Sequence, residues 1–278
     1  MRKGKNIGKA EGIIFSLLGL LWAFGCIFPI WKVFCATFSK ETTNLTTVML
    51  PDSFSNGISK VYTALTSVNV MEATVDTAIY TLISIVGMLI MCSLASYEFS
   101  FYKFPGKKLL FSVLMGAMML PFILYVVPLY RFVYQLGLTD TYLGVAIPIM
   151  ISPMSVFILN QFSESIPVSL IESARIDGAG HFQIFFRIYL PLVRNGLITV
   201  TVLMFLRSWG AYMWPALVTG NEILPVSRTI ANLLSKFFYV DVRVKMAAML
   251  LAMIPPMVIY VIFQKRVIEG MTMSSVKG

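Results

Sequence analysis

Six stretches of this chain are apolar over about the 20 residues that a helix needs to cross a hydrocarbon core, and that length constrains the fold more than any other feature. They cover residues 13–38, 77–97, 109–133, 142–159, 197–218 and 246–263. The bulk composition agrees: 58% of residues are hydrophobic and 13% charged, and the mean hydropathy is +0.81, far from an average soluble domain. The expected fold is an all-α membrane protein with six transmembrane helices. Pro121, Pro128, Pro148, Pro153, Pro215, Pro255 and Pro256 lie within or beside these segments. Proline frees backbone groups that neighbouring helices or water-lined cavities must satisfy, so kinked helices around a pathway are expected.

Charge orients the spans. With both termini on one side, the connections of that side carry Arg2, Lys3, Lys5, Lys9, Lys103, Lys107, Lys108, Arg175, Arg187, Arg194, Lys265, Arg266 and Lys277, more than half of the 22 Lys and Arg. Positive loops stay inside, which places both termini in the cytoplasm of a multi-pass protein. The opposite loops hold Lys40 and Lys60, then none between 134 and 141, then Arg228, Lys236, Arg243 and Lys245. The net charge of +9 is therefore explained by bilayer orientation, with no clustered basic surface for nucleic acid. The chain divides into a cytoplasmic N-terminus (1–12), a first transmembrane arm (13–38) too long for a signal-peptide core, a polar extracytoplasmic loop (39–76), a membrane core (77–269) and a cytoplasmic tail (270–278). Lys32 near the end of the first span reads as a snorkelling side chain. Cys26, Cys35 and Cys92 have no metal-ligand spacing and read as small packing residues.

Between Ser163 and Asn195 the polar, turn and helix signals concentrate. Pro167 suits a helix start, and Gly178 and Gly180 supply a stop, so a helix of about three turns fits residues 167–177. Pro167, Leu170, Ile171 and Ala174 share one face, with Ser169, Glu172, Ser173 and Asp177 away from it. A second helix begins near His181, where Phe182, Phe185, Phe186 and Tyr189 form an aromatic stripe suited to packing on other helices, and Pro191 marks entry to the next long segment.

The run Glu172-Ser173-Ala174, three residues, Gly178, nine residues, then Ile188-Tyr189-Leu190-Pro191 resembles the Glu-Ala-Ala loop of permease subunits of binding-protein-dependent ABC importers, and more narrowly of the maltose-type carbohydrate permeases. Phe104-Pro105-Gly106-Lys107-Lys108, Leu136 to Tyr142, and Gly270 with the closing Ser275 to Gly278 look like further signatures. The resemblance implies the type I importer permease fold in a bacterial cytoplasmic membrane. It also implies that loop 163–195 is a coupling helix seated in a cleft of an ATPase subunit, with Glu172, Ser173, Ala174, Asp177, Gly178, Leu190 and Pro191 at that contact. The implied partners are a second related permease, two ATPase subunits carrying ATP and Mg, an extracytoplasmic sugar-binding protein and membrane lipid. The segment 219–245 is similar in position to the one that meets the binding protein in relatives. Ser173 replaces the family's usual Ala, and Gly210 and Ala211 replace an Asn and Asp in the family's Ser-Trp-Asn-Asp-x-x-Trp-Pro stretch.

No cofactor is expected on this chain itself, because no Gly-x-x-x-x-Gly-Lys-Ser/Thr phosphate loop is present. The central parts of the spans carry no Asp or Glu and the lone histidine, His181, is in a loop, which disfavours the rival reading of an ion-coupled secondary carrier. No His-Glu-x-x-His or Gly-x-Ser-x-Gly motif supports a membrane enzyme, and a glycerol-phosphate importer permease remains an alternative within the family. Arg207, read as near the middle of the fifth span, costs about 2.5–3.5 kcal/mol there and belongs to either the translocation pathway or a structural pairing. Trp209, Tyr212 and Trp214 read as sugar-stacking rings or as interfacial anchors.

Overall fold

The computed structural model describes residues 9–40, 47–235 and 239–273, and every regular element among them is helical. In chain order these are α1 (Lys9–Thr37), α2 (Phe54–Ser67), α3 (Val70–Phe101), α4 (Lys107–Ala117), α5 (Phe122–Gln135), α6 (Tyr142–Met150), α7 (Pro153–Ser163), α8 (Val168–Ile176), α9 (His181–Leu192, with a π-helical centre), α10 (Arg194–Trp209), α11 (Met213–Val218), α12 (Val226–Leu234) and α13 (Val242–Met273). Arg2, Lys3, Lys5, Lys236 and the closing Ser275 to Gly278 lie outside the described residues.

Among the described residues, three helices are long and apolar enough to cross a membrane, within residues 12–37, 70–101 and 242–266. The other predicted spans are broken. The segment 109–133 is not one helix: α4 and α5 meet at 101°. Pro121, which cannot donate and pushes its predecessor out of the α region, caps α5 with φ −60° and ψ 134°. The segment 142–159 breaks by 45° between α6 and α7, where Ser152 sits ahead of Pro153 and its hydroxyl accepts from the Ser155 N–H at 3.2 Å. The segment 197–218 is also divided. Its first part belongs to α10, which bends 75° from α9, and residues 210–212 separate α10 from the short α11. Counting each bent pair as one span gives six.

The chain forms two compact units. In the unit of residues 71–231 and 254–273, α3 supplies the central packing surface. Its buried stripe runs through Ala73, Thr77, Tyr80, Ser84, Met88, Cys92 and Ser96, a spacing of three to four residues on a helix that is apolar almost all round. Small polar residues let helices approach and bond across hydrocarbon. Thr81 Oγ1 lies 2.9 Å from Ser208 Oγ, and Ser96 Oγ 3.3 Å from Ser163 Oγ. A Cβ on Gly87 would stand 2.5 Å from the Met150 sulfur, so the Met150 side chain of α6 lies in the space that glycine leaves on α3. Around the stripe pack Val145, Leu159, Val200, Met204, Trp214 and Val218, with the Trp214 indole N–H donating to the Val145 carbonyl at 3.2 Å.

In the other unit, residues up to Val70 and 232–253, α1 exposes apolar side chains along most of its length. Near its end, the Trp31 indole N–H donates to the Met49 carbonyl at 3.0 Å and the Lys32 ammonium donates to the Val48 carbonyl. Within 39–76, α2 forms, capped by Ser53. Gly57 admits the Phe38 ring, which a Cβ there would strike at 2.0 Å. Asp241 then ties α2 to the start of α13: Lys60 Nζ lies 2.9 Å and Arg243 2.8 Å from its carboxylate. Those donors, Arg243 first, hold the Asp241 carboxyl well below the usual carboxylate range against the opposing effect of burial.

Candidate functional site

Glu172, the leading residue of the sequence reading, lies on an exposed face of α8, and its carboxylate has no hydrogen-bond or ion-pair partner among the described residues. One helical turn to either side, Val168 and Ile176 are exposed as well, Ile176 to 86%. Residues i and i+4 share a face, so a carboxylate between two apolar side chains forms an unpartnered strip. The opposite side of α8 is anchored. Ile171 is buried and Ala174 half-buried in a cluster with Tyr97, Ile166, Ile184, Phe185, Tyr189 and Val193.

The stop after α8 follows from local sequence. The Gly178 N–H donates to the Arg175 carbonyl at 3.0 Å and the Ala179 N–H to the Ala174 carbonyl at 2.9 Å. Gly178 itself has φ +83°, the left-handed residue of a Schellman cap. Asp177 is exposed next to it, and the Ser173 hydroxyl donates to the Ser169 carbonyl at 2.9 Å. Ser173 therefore turns back onto its own helix.

The aromatic stripe of α9 divides. Phe185 and Tyr189 are buried, whereas Phe182 and Phe186 are exposed, contrary to a stripe packed as one face. Residues 185–189 form a π-helical turn, whose wider winding places Ile184, Tyr189 and Val193 in one column and turns Phe182 and Phe186 away. Leu190 is half-buried and Pro191 exposed at the end of this segment. The Tyr189 hydroxyl reaches Ser163 Oγ at 3.1 Å.

The Arg175 guanidinium stands 4.5 Å from the centroid of the Tyr102 ring. Tyr102 escaped the sequence reading. It lies in a connection after α3, and its partners Arg175 and His181 are more than 70 residues away, beyond the reach of any periodicity.

Of Arg207, Trp209 and Tyr212, expected along a pathway, only Arg207 and Tyr212 are exposed. Arg207 is exposed, but it occupies the last turn of α10 instead of mid-span, because the helix stops at Trp209. Trp209 is buried and stacked on Phe205 at 5.3 Å, so its ring faces protein. Tyr212 is exposed at the break before α11.

A second polar constellation, also unseen in the sequence, surrounds residues 218–226. Asp140 accepts from four successive backbone N–H groups: Gly220 at 2.7 Å, Asn221 at 3.0 Å, Glu222 at 3.0 Å and Ile223 at 3.2 Å. Its own N–H donates to the Val218 carbonyl at 2.8 Å. Burial raises the Asp140 carboxyl, and the four donors outweigh it, leaving the group below its ordinary value. Next along, Asp76 accepts from the Leu224 N–H at 2.8 Å and the Tyr142 hydroxyl at 2.7 Å, and Thr77 accepts from the Val226 N–H at 2.9 Å. Arg228 donates to the Thr219 and Gly220 carbonyls. The segment is thus fixed to the start of α3 and to the α5–α6 turn.

Comparison with known proteins agrees with this architecture. Residues 87–272 match the family described as binding-protein-dependent transport system inner membrane component. The chain is 32% identical over 191 residues to the arabinooligosaccharides transport system permease protein AraQ of Bacillus subtilis, covering 68% of each. It is 27% identical to the sn-glycerol-3-phosphate transport system permease protein UgpE of Rhizobium meliloti, over 98% of each. A chain from the crystal structure of a bacterial ABC transporter that imports the acidic polysaccharide alginate shares the fold, with a TM-score of 0.82 at 21% identity over 95% of this chain and 99% of that one. With a match over more than half its length, this chain belongs to the inner-membrane permease components of binding-protein-dependent ABC transport systems.

Proposed function

We propose that the chain forms half of the translocation pathway of an ATP-driven importer of sugars or short oligosaccharides. It pairs with a second permease and couples through α8 to one of two ATPase subunits that bind ATP and Mg. An extracytoplasmic binding protein delivers the substrate, and both termini lie in the cytoplasm. This is a transport subunit and not an enzyme. The observation that carries the reading is the strip of α8: Glu172, without a partner among the described residues, between exposed Val168 and Ile176, on a helix whose other face is buried through Ile171 in the cluster that includes Tyr97 of α3. A carboxylate meeting a basic group of the ATPase makes a charge-assisted hydrogen bond, and the anchored face passes movement of α8 to the spans, which alternate between inward-facing and outward-facing cavities.

The arabinooligosaccharide relatives support the sugar reading, and the glycerol-phosphate relatives support a phosphorylated polyol as the second. The test is co-expression with the genomic neighbours and purification in mild detergent. A second six-span protein and a Walker-motif ATPase should co-purify, with hydrolysis stimulated by the binding protein loaded with an oligosaccharide. Glu172→Arg should insert normally and lose the ATPase. Full stimulated hydrolysis in that variant overturns the role of Glu172; stimulation by glycerol phosphate but not by oligosaccharides selects the second substrate class.

A further inference from the structure

Three helices meet on one side chain beside α8 and α9, and a fourth reaches the backbone carbonyl of the same residue. Tyr102 follows the last turn of α3, its N–H donating to the Glu98 carbonyl at 3.2 Å. Its hydroxyl lies 3.1 Å from the hydroxyl of Tyr97 on α3 and 2.7 Å from Nδ1 of His181, the first residue of α9. Its ring carries the Arg175 guanidinium of α8 on one face and is stacked with the His181 imidazole at 5.4 Å. Its carbonyl accepts from Lys107 Nζ at the start of α4, at 3.0 Å.

The apolar cluster beneath α8 and α9 is attractive but not directional, and packed helices can slide or rotate across such surfaces by small amounts. Hydrogen bonds weaken steeply with angle, and a cation over a ring is held to its face. Tyr102 supplies directional contacts to α8 and α9 at once, and it is continuous with α3, the central packing helix. The second polar link of the region, Tyr189 to Ser163 to Ser96, holds the far end of α9. The two links together fix both the angle and the position of α9 against α3.

We infer that Tyr102 is a positioning residue of the transport cycle: through its hydroxyl bonds to His181 and Tyr97 and its ring contact with Arg175, it transfers the displacement of α8 and α9 to α3. This rests on the coupling role proposed for α8. The test uses the complete complex of both permeases, the ATPase and the loaded binding protein. Tyr102→Phe keeps the ring, and with it the Arg175 and Tyr97 ring contacts, and removes both hydroxyl bonds. His181→Phe keeps the stack and removes only the Tyr102–His181 bond, leaving the one to Tyr97.

Each variant should retain the ATPase on purification; the ratio of stimulated to basal hydrolysis should fall on the order of fivefold in His181→Phe, the scale of one lost hydrogen bond in a two-state coupling equilibrium, and by at least as much in Tyr102→Phe, which loses two. The double variant Tyr102→Phe/His181→Phe should be no worse than Tyr102→Phe alone, because the one bond that His181→Phe removes is already lost there. An unchanged ratio in Tyr102→Phe, additive losses in the double variant, or loss of the ATPase from the complex would overturn the inference. A parent complex without stimulated hydrolysis would refute the importer reading and this inference with it. A normal parent with an unaffected Tyr102→Phe refutes this inference alone.

Discussion

Asp140→Asn isolates the clamp on residues 220–223, because asparagine keeps the volume and tolerates the left-handed backbone that Asp140 adopts at φ 56°. Oδ1 of the native carboxylate serves Gly220 and Ile223, and Oδ2 serves Asn221 and Glu222. In the variant one oxygen keeps its two donors, and an NH2 group replaces the other, facing two N–H groups with no acceptor. Bonds to a charged acceptor are worth about 1.5–3 kcal/mol each, and the exposed Asn221 and Glu222 amides recover part of that by turning to water, so the cost is about 2–3 kcal/mol. Asp140→Ala adds the loss of the remaining bonds and about 1 kcal/mol for a left-handed alanine.

The assay is thermal unfolding of the full chain in mild detergent at fixed protein and lipid content. A drop on the order of 5 °C is expected for Asp140→Asn and more for Asp140→Ala. Acid gives an independent check. The Asp140 carboxyl lies below its ordinary value of 3.8 in the folded chain. Its stabilisation is thus fully present above that value and is lost as pH falls through the lowered one. The gap between parent and Asp140→Asn should hold from neutral pH to about pH 4 and close only below it. Equal melting temperatures at neutral pH, or an alanine variant no worse than the asparagine one, would refute the clamp.

Two further substitutions probe the backbone and the ion pairs. Gly178→Ala meets no neighbouring atom within 4 Å, so its cost of about 1–2 kcal/mol is that of φ +83° alone, and Gly178→Asn should restore part of the lost melting temperature. Lys60→Ala should cost no more than about 1 kcal/mol and lose its effect in high salt, since this pair is partly exposed. Asp241→Ala should cost more, because Arg243 also loses its carboxylate; melting curves at low and high salt check both. Were the two substitutions equally costly, the triad would not act as a unit.

Sequence alone made α8 legible because its signals are local. Pro167 opens it, Gly178 closes it, and both act through their own φ within a residue or two. The first, second and last spans were equally legible, since length and hydropathy need no neighbour. The breaks at 118–121, 151–152 and 210–212 were legible only as prolines and glycines near span edges; angles of 101° and 45° depend on what each half packs against.

What the sequence determined by itself, then, was the set of apolar spans, their expected orientation by charge and the helix that carries Glu172. The tertiary structure decided which side chains meet. It buried Trp209 and left Arg207 at a helix end, split the aromatic stripe with a π-turn, and joined Asp140 to Gly220, Asp76 to Leu224 and Tyr102 to His181 across about 80, 150 and 80 residues of chain. On helices that are apolar almost all round, hydropathy marks no inward face. Only packing selects the buried stripe, and with it the few polar groups that must find partners.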